Sequence, residues 1–328
     1  MTVSSPAGGR RVLVIGPSNI GDAILASPVV AALHQRYPEA QLTLVAGTRA
    51  KAVFAEDPRV QVLVDSGAFD SAAGRLKLAW ALWRYRPHLV VDLRHTAYPL
   101  LLKPLESWRY LRYPPRRLVH MRDRHLWKLR AQVPGMPEEN GGTTALWTSA
   151  KDTAHIETLW RRWQLPDGAR LVVISPGARS HIKRWPAEGF ARVADRLIRE
   201  SGASVVFAGE PDEEEIVQEI LGAMEQRAVS AVGLTTIRQL GALMRRAALV
   251  ITNDSAALHL ASSVNAPTVA IFGPTDAAKY GPTAPKRRVL RRALFCAPCE
   301  QALCRYSHEC MRFISADEVF NAAAGLLS

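Results

Sequence analysis

The chain has 328 residues, 48% of them apolar, and a formal net charge of +12 at pH 7. Such a length suits two domains rather than one core, and the apolar fraction excludes a disordered chain. No run of about 18 apolar residues and no apolar leader after the polar start, Met1 to Arg11, can be read, so neither a spanning helix nor secretion is expected and the cytoplasm is the expected compartment.

Val12 to Ile15 reads as a short apolar strand. Gly16 to Gly21 is a turn, and Asp22 to Tyr37 a helix with apolar Ile24, Leu25, Val29 and Leu33, broken by Pro38. Gln41 to Val45 and Val60 to Val64 are the next strands. Leu76 to Arg86 is helical and ended by Pro87, and Leu89 to Leu93 is a strand. A basic stretch follows, then a Gly/Pro/Thr-rich region around Pro134 to Thr144. A helix over Ala154 to Trp163 leads to a turn, Pro166-Asp167-Gly168, and the alternation resumes. The second series has strands Leu171 to Ile174, Ser204 to Ala208, Ala247 to Ile251 and Pro267 to Phe272. Its helices are Pro186 to Glu200, Glu213 to Met224, Ile237 to Arg245 and one starting near Ser255. A last helix, Ala316 to Leu327, is expected to pack back across the interdomain region. Strands alternating with helices imply parallel βαβ units. The pattern occurs twice, which predicts an α/β chain of two Rossmann-like domains facing a cleft, residues 1–153 and 154–328.

The segment Asn253-Asp254-Ser255-Ala256-Ala257-Leu258-His259 is the most informative. Three capping residues in a row follow a buried strand and open a helix. Unpaired amides and the helix dipole make such a point an anion site suited to phosphate. Ser255 and His259, four apart, share a helix face. The loop from Ser175 through Gly177, Arg179 and Ser180 to Lys183 follows another strand. It gathers a point charge, a guanidinium fork and backbone amides, which also suits phosphate, although a basic surface loop has the same composition. Glu210 and Glu213 follow the strand ending at Ala208, where a carboxylate can accept from ribose hydroxyls or serve the helix dipole. The first turn, Gly16 to Asp22, lacks G-x-G-x-x-G and so is no dinucleotide fingerprint. Asp22 falls at a helix start, where it is either an ordinary cap or a base at the mouth of the cleft.

The charge is uneven. Lys103 to Arg130 holds nine Lys/Arg against Glu106 and Asp123, interleaved with Trp108, Tyr110, Tyr113 and Trp127. This composition suits a membrane interface or a solvated basic face. No nucleic-acid recognition pattern accompanies it, so nucleic acid is not an expected partner.

Four motifs in order resemble the bacterial heptosyltransferases, glycosyltransferase family nine. They are Gly21-Asp22, Pro176-Gly177-Ala178 running to Lys183-Arg184-Trp185-Pro186, Asn253-Asp254-Ser255 with His259, and Phe272-Gly273-Pro274-Thr275-Asp276. Ala256-Ala257 departs from the Gly-Pro or Gly-Leu of many members. The resemblance implies a GT-B fold and inverting transfer of heptose from an ADP-sugar to the inner core of lipopolysaccharide, without a catalytic divalent metal. It implies Asp22 as general base, with Lys183, Arg179, Ser180 and the amides from Ser255 through Ala256 and Ala257 to Leu258 holding the departing diphosphate. His259 adds a donor, and Glu210 or Glu213 holds the ribose. The acceptor would be a phosphorylated glycolipid, with Lys103 to Arg130 docking peripherally on the inner face of the inner membrane. Two rival readings are a sugar-nucleotide 2-epimerase, which would act without an acceptor, and a non-catalytic nucleotide- or anion-binding protein, which would tolerate loss of Asp22.

All four cysteines fall within fifteen residues: Cys296, Cys299, Cys304 and Cys310. In a reducing compartment such clustering reads as a structural zinc or iron site, with free thiols or a labile disulfide as alternatives. Similar cysteine-rich tails occur in some members of the family.

Overall fold

The computed structural model describes residues 9–137 and 146–328. The polar start before Gly9, and residues 138–144 of the Gly/Pro/Thr-rich region, lie outside them. The chain divides into two compact units, Met1–Trp147 and Thr148–Ser328. A boundary at residue 153 would cut a helix. Ala150–Arg162 begins at a capping box, in which Ser149 and Asp152 each bond the other's backbone N–H, and the whole helix belongs to the second unit.

In the first unit, β1 (Arg11–Ile15), β2 (Gln41–Ala46), β3 (Val62–Asp65) and β4 (Leu89–Asp92) form one parallel sheet in the order β3-β2-β1-β4. The helices of eight or more residues are α1 (Ile20–Arg36), α2 (Ala72–Tyr85) and α3 (Met121–Gln132). Leu13 and Ile15 of β1, Val45 of β2 and Val90 of β4 pack with Leu78 and Leu82 of α2 and with Tyr110. Helix α2 starts four residues before the expected Leu76 because Ser71 caps it, accepting from Gly74 N at 3.0 Å. The basic stretch holds a 3₁₀ segment, Pro104–Arg109, and then α3, which buries His125, Leu126, Lys128, Leu129 and Gln132. Within the expected membrane-facing stretch, Tyr110, Pro114, His125, Leu126, Lys128 and Leu129 are buried, while most of residues 103–119 stay at the surface.

In the second unit, β5 (Leu171–Ser175), β6 (Ser204–Phe207), β7 (Val229–Ser230), β8 (Leu249–Asn253), β9 (Thr268–Phe272) and β10 (Arg287–Arg291) form a six-stranded parallel sheet in the order β10-β9-β8-β5-β6-β7. Strands β5, β8 and β9 are buried along their whole length, as a sheet covered on both faces requires. The helices of eight or more residues are α4 (Ala150–Arg162), α5 (Ala187–Ser201), α6 (Glu214–Ala223), α7 (Ile237–Arg246), α8 (Ala256–Ser263) and α9 (Ala316–Leu327). Gly202, at φ +61°, ends α5 in the left-handed conformation that glycine adopts without a Cβ penalty. The last helix, which the sequence led us to expect across the interdomain region, packs on α5 and on β8, β9 and β10 of its own unit. Val319, Phe320 and Ala323 enter that unit's core. Among the described residues, no helix is long and apolar enough to cross a membrane.

Candidate functional site

In an open parallel sheet, ligands bind beyond the carboxyl ends of the strands where the strand order reverses. In the second unit that point lies between β5 and β8. The loop after β5 and the helix after β8 are the two segments singled out in the sequence. Ser175, the last residue of β5, is buried; Gly177 and Ala178 are buried, Arg179 is exposed and Ser180 half-buried.

Lys183 and Asp254 join the two segments, Nζ to Oδ2 at 2.6 Å, with the Asp254 carboxylate only 5% exposed. Asn253, fully buried at the end of β8, ties the β5 loop at both ends. Its Nδ2 donates to Pro176 O at 2.6 Å, and its Oδ1 accepts from Trp185 N at 3.2 Å. Trp185 is pinned further by its Nε1 donating to Ile314 O at 2.9 Å, and by an edge-on contact with Phe190. Arg184 closes the loop on itself, Nε to Ala178 O at 2.9 Å. The loop that carries Lys183 is thus held from several sides, and the ammonium stands at the switch point.

Glu213 and Glu210 differ. Glu210 is exposed, whereas Glu213 is half-buried, and its Oε2 accepts from Glu210 N at 2.9 Å. A Cβ on Gly177 would overlap the Glu213 carboxylate, so a larger residue there would displace that carboxylate. Burial raises the Glu213 carboxyl above the ordinary range.

Ser255 is the N-cap of α8 and makes no side-chain cap bond; its Oγ lies 3.3 Å from Thr252 Oγ1. The first turn leaves the amides of Ala256 and Ala257 without intrahelical partners, while the Leu258 N–H already reaches Ser255 O at 3.2 Å. The Leu258 side chain belongs to a small core cluster with Ala270 and Phe272. His259 is buried, with its ring 6.5 Å from that of Tyr280. After β9, Asp276 caps the next short helix through Ala278 N, and the buried Thr275 Oγ1 makes no hydrogen bond among the described residues.

The four cysteines line one cavity of about 370 Å³ together with Ile182, Pro274, Tyr306 and His308. Cys310 is buried, and its thiol is pushed up, first by burial and then by the charges of Cys304, Cys296 and Cys299 around it. Among the described residues, no group of three or more His, Cys, Asp or Glu is arranged as a metal-ligand set. The cluster abuts the phosphate-type loops: a Cβ on Gly273 would overlap Met311 Sδ and lie 3.0 Å from Cys310 Sγ, and Glu300 N donates to Pro274 O at 2.8 Å.

In the first unit the order reverses between β1 and β4. The loop after β1 leads to Asp22 in the first turn of α1, partly exposed. The N-cap Asn19 makes no side-chain cap bond, and its Nδ2 lies 3.4 Å from Asp22 Oδ2. A Cβ on Gly47 would come 2.6 Å from Ser18 Cα, so β2 leaves room for this loop only through glycine. The loop after β4 is built on Asp92, buried, accepting from Arg94 N, Thr96 N and Thr96 Oγ1. Beside it the buried Lys128 Nζ donates to Leu93 O at 2.6 Å, and burial lowers its pKa to about 8. His125, equally buried, is lowered to about 3 by burial and by the cations of Lys128 and Arg124.

Sequence reasoning did not assign site roles to Asn253, Arg184 and Trp185, although all three lie inside motifs quoted there.

Comparisons with known proteins bear on the family and the fold. The family model "Glycosyltransferase family 9 (heptosyltransferase)" matches residues 126–309. Lipopolysaccharide heptosyltransferase 2 of Escherichia coli K12 is 28% identical over 313 residues, 86% of this chain and 88% of that protein. The crystal structure of a family 9 glycosyl transferase from Veillonella parvula DSM 2008 superposes with a TM-score of 0.84, at 25% identity, over 99% of both chains. That of the E. coli ADP-heptose lps heptosyltransferase II gives 0.74 at 22% identity, over 97% of this chain and 98% of that one. The fold is GT-B, two Rossmann-like domains. With over half of its length matched by the family model, the chain belongs to glycosyltransferase family 9, the heptosyltransferases, and is a glycosyltransferase.

Proposed function

We propose that this enzyme transfers heptose, with inversion, from ADP-heptose to a phosphorylated glycolipid of the lipopolysaccharide inner core, working in the cytoplasm at the inner membrane face. The observation that carries the reading is the Lys183–Asp254 pair at the switch point of the second unit, with its loop held by Asn253. The names of the similar proteins, lipopolysaccharide heptosyltransferase 2 and ADP-heptose lps heptosyltransferase II, supply the donor and the acceptor class.

In the proposed reaction the acceptor hydroxyl attacks the anomeric carbon of the donor and gives its proton to Asp22. The bond from that carbon to the diphosphate oxygen breaks, and ADP leaves with the added negative charge. Fixed donors meet that charge: the Lys183 ammonium, Arg179, Ser175, Ser180 and the amides at the start of α8, Ser255 to Ala257. Asp254 aims Lys183, and desolvation within the loop strengthens the cation's pull on phosphate. Glu213, next to Gly177, is better placed than Glu210 to accept from the ribose hydroxyls. His259 supports α8 from within. No step requires a divalent metal. The four cysteines are proposed to hold a structural zinc or iron beneath the donor loops. The reading rests on their clustering around one cavity, and the thiols as they stand are not disposed as a ligand set.

The test is calorimetric titration with ADP, UDP and NAD, followed by transfer from ADP-heptose to a heptose-deficient core glycolipid. Binding of ADP alone and a product of inverted anomeric configuration are expected. Preference for UDP, or turnover of the donor without an acceptor, would overturn the assignment.

A further inference from the structure

Helix α2 has two apolar faces. Leu78 and Leu82 point into the core of the first unit, while Leu76, Trp80 and Trp83 are 72%, 59% and 51% exposed. At 100° per residue the three exposed residues fall within an arc of about 60°, opposite the buried pair. Arg75 and Arg86 flank that arc on one side, Lys77 and Arg84 on the other, and the Arg84 guanidinium lies 4.8 Å over the Trp80 ring. The stripe is not isolated. The short helix Tyr98–Leu102 packs against both α2 and the Pro104–Arg109 segment. That segment adds Leu105, 94% exposed, and Trp108, 57% exposed, with Arg109 over its ring at 5.3 Å. Residues 72–117 carry ten Lys/Arg and two acids. Asp92 is buried, and Glu106 is paired with Arg109.

We infer that this face of the first unit docks on an anionic lipid bilayer, with α2 lying in the headgroup layer. Tryptophan and leucine on one arc with cations on both flanks is the chemistry of an interfacial helix. Rings and alkyl groups enter the acyl boundary, and arginine and lysine meet lipid phosphate. Charge decides the occupant. A second copy would present the same cationic face and be repelled, whereas an anionic leaflet complements it. The surface lies largely upstream of the Lys103–Arg130 stretch read from composition, within which α3 buries His125, Leu126, Lys128 and Leu129. The inference rests on the proposed function only in taking the acceptor to be a lipid.

The experiment is co-sedimentation of the full chain with vesicles of phosphatidylglycerol, cardiolipin and phosphatidylethanolamine, against vesicles of phosphatidylcholine alone. The wild type is expected to bind the anionic vesicles at least about tenfold more tightly, because each basic residue near the surface adds to the attraction. The double substitution Trp80→Ser, Trp83→Ser is expected to weaken that binding at least about tenfold, with the thermal unfolding midpoint and ADP affinity unchanged. Arg75→Glu with Lys77→Glu is expected to abolish the preference for anionic vesicles. Equal binding by wild type and either variant, or no binding by the wild type, overturns the inference. So does a wild-type dimer in velocity sedimentation that the Trp variant dissolves, since the face would then be a self-interface. Vesicle binding without heptose transfer would sink the proposed activity and leave the docking face standing. Transfer to a water-soluble acceptor without vesicle binding would do the reverse.

Discussion

Replacing Asn253 by alanine removes the clamp on the loop that carries Lys183. Two buried hydrogen bonds go, Nδ2 to Pro176 O at 2.6 Å and Trp185 N to Oδ1 at 3.2 Å, and both backbone groups are left with no partner from this side chain. A buried unsatisfied group costs about 1–3 kcal/mol, so the pair predicts about 3 kcal/mol of lost stability. For a unit of this size that corresponds to a fall of about 6–12 °C in the unfolding midpoint. Stability alone does not separate a clamp from any other core residue, so the second readout is ADP affinity well below the lowered midpoint. A loop displaced by about 1 Å moves the Lys183 ammonium off the diphosphate, and turnover is expected to fall about 10²-fold. Asn253→Asp keeps the shape and the acceptor for Trp185 N but sets a carboxylate oxygen against Pro176 O. It is expected to fall between wild type and alanine, closer to alanine at high pH. Scanning calorimetry and ADP titration on the three proteins check this. Unfolding of Asn253→Ala within about 0.5 kcal/mol of wild type, or unchanged ADP affinity and turnover, would refute the clamp.

Asp22→Asn is expected to lower kcat by about 10²-fold or more while leaving ADP affinity at the wild-type value, because the base acts on the acceptor; steady-state kinetics with paired titrations measure both. Lys183→Ala, by contrast, should weaken ADP binding and slow transfer together, and Asp254→Asn should do the same more mildly by letting the ammonium drift. Elemental analysis of anaerobically purified protein is expected to give about one zinc or iron per chain, lost in Cys310→Ser; a metal-free wild type would discard the structural site. The Glu318 carboxyl is held down to about 2, chiefly by Arg292 and then by the Ser315 backbone. A depressed acid stabilises the fold above its unfolded value near 4.5, and that contribution disappears as pH falls toward 2. The midpoint difference between wild type and Glu318→Gln should therefore be greatest above pH 5 and close as the solution is acidified.

Strands β1 to β6, β8 and β9 were legible because each carries a short, mostly apolar run. Strand β7 was not, since two residues carry no periodicity, and β10 reads Arg287-Arg288-Val289-Leu290-Arg291, an exposed edge strand whose arginines deter further pairing. Helix α3 stayed hidden because part of its buried stripe is polar: His125, Lys128 and Gln132 occupy positions where periodicity looks for leucine. At the proposed donor site the loops were readable from composition, but the pairings across them were not. Asn253 looked like a helix cap and is instead the last residue of β8, with its side chain turned sideways into the neighbouring loop. Ion pairs such as Lys183–Asp254, 71 positions apart in the chain, leave no local mark in a single sequence.

The proposed donor loops lean on residues that lie far downstream of them. Trp185 hangs from Ile314 O, Gly273 packs under Met311, and Val319, Phe320 and Ala323 complete the hydrophobic core beneath β8 and β9. During synthesis the first unit has all its strands and can fold early, as N-terminal domains do. The proposed nucleotide site has no such option, because the loops after β5 and β8 wait for Met311, Ile314 and Val319 to Ala323, which are made long after them. A nascent chain that has not yet reached those residues therefore lacks the finished loops. Nonsense mutations that remove the helix Ala316–Leu327 are expected to yield protein with an intact first unit that cannot engage the sugar nucleotide.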